Sequence, residues 1–153
     1  MFPLFPPPTF AASVYDTLRD FDQAWTLHPI LVNFTAALIP ISFLCDLLSR
    51  VFGRDSLRHA GWWTLFFAAL ITPFTAAAGW FFWAKDDSGD PNMTIHKWLG
   101  TALAALFLAL VLWRWHFFKR NGNPTFLYLL LALALVAALI YQGHLGGEKT
   151  FSG

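Results

Sequence analysis

Five histidines carry most of the chemistry this 153-residue chain can offer: His28, His59, His96, His116 and His144. Imidazole ligates haem iron, copper or zinc and titrates near neutral pH. The spacing is informative by what it lacks. No His-x-x-x-His or His-x-His pair pre-assembles two ligands, and Cys45 is the single cysteine, so no Cys-x-x-Cys-His exists. Covalent haem is thereby excluded and any haem is b-type. There is no nucleophile–base motif, phosphate loop or paired-carboxylate site, and the chain reads as an electron-transfer or accessory protein rather than an enzyme.

Composition decides what frame must position these residues. Hydrophobic residues make up 57% of the chain, aromatic ones 18% and charged ones only 12%, with mean hydropathy +0.52. A soluble domain carries about 25% charged residues, so this chain cannot cover a hydrated surface. A net charge of +1 offers no basic face to nucleic acid, and a lone cysteine excludes a disulfide scaffold. Four apolar runs, 29–48, 60–83, 96–115 and 125–144, each approach the roughly 20 residues that cross a hydrocarbon core of about 30 Å. Helices satisfy their own backbone in lipid, whereas isolated strands do not. The short connections then force neighbouring helices antiparallel.

The expected fold is all-α: an integral membrane up-down-up-down four-helix bundle over 27–153, preceded by a Phe/Pro-rich arm and a short interfacial helix within 1–26. In that helix Val14, Leu18, Phe21 and Trp25 share a face suited to the outer leaflet; a partner-binding arm is the rival reading. Pro40 and Pro73 are expected to kink their helices, with Ser42, Thr72 and Thr75 taking up the freed carbonyls. No internal repeat and no low-complexity linker is seen in the sequence.

Charge sets the orientation. Arg50, Arg54, Arg58, Arg114, Lys119 and Arg120 fall at the end that holds the first and third connections, against Arg19, Lys85, Lys97 and Lys149 at the other. Positive residues stay cytoplasmic, which places both termini on the periplasmic side of a bacterial inner membrane. His28, His96 and His144 then share one layer near the outer face, while His59 and His116 lie beside the arginines, where solvated or capping roles suffice.

Around the outer trio, Gly100 shares a helical face with His96, and Gly143, Gly146 and Gly147 flank His144. Such glycines leave room for a planar group or a close helix. Asn33 offers a hydrogen bond near His28, and Lys97, Lys149 and the Trp25 and Trp98 indoles are available to haem propionates. Two imidazoles of the three, with that space, make a haem b site. Three histidines holding copper or zinc, with Asp90 or Glu148 nearby, are a weaker alternative. The glycines also have a plainer reading, as a helix end and a loop.

The remaining features have bland explanations. Asp46 is expected to snorkel to water or pair with Arg50 four residues on. Trp25, Trp80, Trp83 and Trp98 read as an outer aromatic belt, and Trp62, Trp63, Trp113 and Trp115 as an inner one.

Three segments together carry a family resemblance: Leu27-His28-Pro29-Ile30-Leu31-Val32-Asn33-Phe34, His96-Lys97-Trp98-Leu99-Gly100 and Gly143-His144-Leu145-Gly146-Gly147. The chain resembles, over about 27–147, a bacterial membrane family catalogued as domain of unknown function 2231. The resemblance implies a four-helix membrane domain in a redox setting, since some relatives are joined to cytochrome c or Rieske domains. Many relatives have a second histidine where this chain has Asn33, so a four-histidine site is not expected here. Two functions follow as expectations. One is a membrane redox module binding haem b near the outer face through two of His28, His96 and His144, passing electrons between a periplasmic carrier and the membrane in a respiratory-type chain. The other is a cofactor-free accessory subunit of a larger energy-transducing or photosynthetic complex in the lipid bilayer.

Overall fold

The computed structural model of the protein describes residues 13, 14, 16, 17, 20, 27–80 and 91–151. Four helices follow one another: α1 (Leu27–Phe52), α2 (Asp55–Ala78), α3 (Pro91–Lys119) and α4 (Phe126–Phe151). No strand occurs among the described residues. Each helix packs against its neighbour in sequence and α4 returns to α1, closing a four-membered ring. All four are long and apolar enough to cross a membrane. The Phe/Pro arm, most of the expected interfacial helix, Trp83, Asp90 and the side chains of Glu148 and Lys149 lie outside the described residues.

The helices run past their apolar stretches, because a polar residue at the membrane edge satisfies its backbone most simply by staying helical. Only Gly53 and Arg54 are left between α1 and α2, with Gly53 in the left-handed region (φ 63°). Asn121 takes the same conformation (φ 50°) after α3. Asparagine tolerates that position better than most residues. Thr125 then caps α4, its hydroxyl accepting from the Tyr128 N–H at 3.3 Å.

Two arginines tie these turns together. Arg50 donates to the Pro124 carbonyl (2.8 Å) and Arg58 to the Asn121 carbonyl (2.6 Å). Residues read from sequence as orientation signals therefore also brace one end of the bundle, here called the arginine end.

The α1–α2 seam is built from small and hydroxylated residues, which let backbones approach. Ser42 Oγ donates to the Gly61 carbonyl (2.8 Å), and the Thr35 and Thr75 hydroxyls lie 3.4 Å apart. Both helices continue through Pro40 and Pro73. The expected repair of the proline-freed carbonyls takes a different form. Proline leaves the carbonyl four residues earlier without its donor, so the freed groups belong to Ala36 and Ala69. Thr72 instead bonds the Ala68 carbonyl, Thr75 that of Ile71, and Ser42 reaches across to α2. Between the helices, Leu65, Phe107, Tyr128 and Ile39 form the fully enclosed core.

Candidate functional site

At the end opposite the arginines, the helix starts of α1 and α3 place His28 and His96 against the last turns of α2 and α4. His28 Nδ1 lies 3.0 Å from the Thr75 carbonyl oxygen. A carbonyl can only accept, so Nδ1 carries the proton. The ring rests on Gly79, where an added Cβ would come within 2.9 Å of His28 Cε1. His96 repeats this arrangement on α4. Its Nδ1–H donates to the Gln142 backbone carbonyl (2.9 Å), and a Cβ on Gly146 would meet Cε1 at 2.6 Å. The Gln142 side-chain amide lies 3.3 Å from His96 Nε2 and donates to it. Gly100 opens the space that Gln142 fills, since a Cβ there would sit 3.2 Å from the Gln142 amide nitrogen.

The two seams correspond position by position. His28 and His96 stand 68 residues apart, as do Asp46 and Arg114; Thr75 and Gln142 are 67 apart, as are Gly79 and Gly146. An internal repeat is thus present in the geometry although residue types conceal it: threonine answers to glutamine and aspartate to arginine. The pattern is what an approximate two-fold relation between the hairpins α1–α2 and α3–α4 produces.

The residues expected at the outer site are only partly brought together. His28 and His96 sit in separate seams, while His144 lies on the exposed side of α4, turned from the buried Gln142 and Leu145. Among the described residues no three His, Cys, Asp or Glu side chains gather as a metal site requires. Gly143 and Gly147 face open space, with nothing within 4 Å of an added Cβ. The close-approach glycines are Gly79 and Gly146 instead. Their space is filled by the imidazoles themselves, so a macrocycle edge would enter these seams only with the rings swung out of them. Lys97 places its ammonium 5.2 Å from the centroid of the Trp80 ring, and Asn33 is exposed on α1. The His28–Gly79 spacing (51 residues) is one longer than His96–Gly146 (50), so transferring the second spacing to His28 lands on Ala78, beside the glycine.

A second polar cluster, missed from the sequence, lies inside the arginine half of the bundle. Asp46 of α1 and Arg114 of α3 are both 0% exposed and form a two-pronged ion pair across the ring (Nε–Oδ2 2.9 Å, Nη2–Oδ1 2.8 Å). The expected Asp46–Arg50 pairing gives way to this one because Arg50 is drawn to Pro124 and to the face of Phe126, 4.1 Å from its centroid. Arg114 Nη2 also donates to the Arg58 carbonyl (3.1 Å), and Tyr128 lies next to Asp46. Gly61 makes the approach possible, since a Cβ would meet Asp46 Oδ1 at 2.5 Å. Buried charge in a membrane helix demands such partners. Beside the pair, a central cavity of about 10 Å³ is lined by Ser42, Tyr128 and apolar side chains, room for about one water.

A family described as "Predicted membrane protein (DUF2231)" matches residues 24–153. No curated protein and no solved structure matches the chain.

Proposed function

The chain belongs to the DUF2231 family of predicted membrane proteins, and on that premise we propose that it serves as a cofactor-free accessory subunit of a larger energy-transducing membrane complex. One observation carries this reading: two of the histidines and the buried ion pair are directed at neighbouring helices. His28 and His96 bond to carbonyls of α2 and α4, and Asp46 and Arg114 neutralise each other. Groups used in this way lock four helices into one rigid body. The redox setting implied by the family resemblance supplies the kind of complex. Exposed Phe34, Phe67, Phe74 and Leu127 present apolar faces to lipid and to partner subunits. The charge asymmetry supports an inner-membrane protein with both termini periplasmic; a reporter active only outside the cytoplasm, fused after Gly153, is expected to be active.

A haem b held by His28 and His96 is the second reading, favoured by the tautomer at His28. With Nδ1–H given to Thr75, Nε2 is the unprotonated nitrogen an iron ligand requires. At His96 the same role would displace the Gln142 amide.

Absorption spectra of protein purified in mild detergent from haem-replete cells, oxidised and then reduced, separate the two. The expected preparation is colourless and iron-free, and elutes with partner subunits. A Soret band that shifts on reduction, with about one iron per chain, overturns the proposal in favour of a b-type cytochrome. His28→Ala and His96→Ala would then assign the ligands.

A further inference from the structure

The arginine end carries a surface feature that neither histidine seam explains. Between α2 and α3 a groove of about 240 Å³ opens to the bundle exterior, lined by Trp62, Phe66, Val111, Leu112 and Trp115, and its wall is almost wholly apolar. Its aromatic side is ordered by stacking: Trp62 lies 4.8 Å from Phe118 and 5.1 Å from Trp115 between ring centroids. Trp62 is 4% exposed, yet its indole N–H has no acceptor among the described residues. A buried indole N–H ordinarily finds one.

The rim is cationic. Lys119 holds its ammonium 5.0 Å from the centroid of the Trp115 ring, directly beside the groove. Arg54, His59 and Arg120 are exposed at the same end, and His59 meets the edge of Phe118, the ring stacked on Trp62. The nearby acid is Asp55, engaged by Arg58 at 3.2 Å, while Asp46 is consumed within the bundle by Arg114. An apolar slot beneath a positive rim, at the depth where a membrane helix ends, complements an amphiphile with an acyl chain and an anionic head.

We propose that the α2–α3 groove binds one anionic glycerophospholipid. An acyl chain lies against Phe66, Val111 and Leu112. The phosphate sits against Lys119 at the rim. A zwitterionic lipid fits the slot equally well but brings its own cation to the rim, so selectivity resides in the head group. This site is independent of whether the histidine end holds a cofactor.

The test is native mass spectrometry of the full chain released from nanodiscs containing equal amounts of phosphatidylglycerol and phosphatidylcholine. The expected result is one retained lipid, with phosphatidylglycerol favoured about fivefold, equivalent to the roughly 1 kcal/mol gained by one basic residue near anionic lipid. Lys119→Glu is expected to abolish the preference, and Leu112→Trp, which fills the groove from a position 70% exposed, to remove the retained lipid. Both variants alter exposed side chains, and circular dichroism checks that their helices persist. Equal retention of the two lipids by the unaltered protein, or none, overturns the proposal, as does a preference unchanged in both variants.

Discussion

Arg114→Leu is expected to lower the stability of the bundle by about 3–5 kcal/mol, the cost of leaving a buried carboxylate without its counter-charge. Asp46 is wholly enclosed, and its carboxylate takes both prongs of the guanidinium. Removing Arg114 leaves that enclosed carboxylate without its counter-charge. Asp46→Leu should cost a similar amount, because it strands the guanidinium against the Arg58 carbonyl. The double replacement is expected to recover most of the loss, since two well-packed apolar side chains often match a buried ion pair in energy. Denaturant titration in detergent micelles, followed by helicity, measures all three. Additive losses in the double variant would show that the two residues act independently and that the pair is not what joins α1 to α3.

The glycines near the end of α4 give the second large effect, and it changes sign within two residues. Gly146→Ala is expected to destabilise by about 1–3 kcal/mol, because its methyl group would press on the His96 ring in a packed seam. Gly143→Ala and Gly147→Ala meet open space. Each should gain up to about 1 kcal/mol from the better helix propensity of alanine. Adding His96→Ala to Gly146→Ala removes the ring that the methyl group strikes, so the double variant should lose less than the sum of the singles. Thermal unfolding in detergent, monitored by circular dichroism, reads these differences. If all three alanines behave alike, the His96 ring does not rest on Gly146.

How far the fold could be read from sequence depended on whether the signal was local. Helix number and antiparallel order follow from the lengths of apolar runs and of the connections, quantities that neighbouring residues settle among themselves. The inward face of each helix was much harder to see. In a soluble bundle the polar stripe marks the outside, but in lipid Phe67 and Leu127 are as apolar outside as Leu65 and Phe107 are inside. Hydrophobic period therefore loses its meaning, and with it the means to choose among Gly143, Gly146 and Gly147.

The candidate site divides along the same line. That His28, His96 and His144 approach one end of the bundle was determined by the sequence alone, because alternating spans carry those positions to it. Their separation was decided by the tertiary structure: His28 in one seam, His96 in another and His144 on an exposed face. Asp46 shows the reason most plainly. Its near partner by sequence is Arg50, four residues away on the same helix, and its actual partner is Arg114 on α3. A charge enclosed in the bundle must find its counter-charge inside, whichever helix supplies it. Which helix that is depends on how the ring closes, a property of the assembled bundle rather than of any one segment.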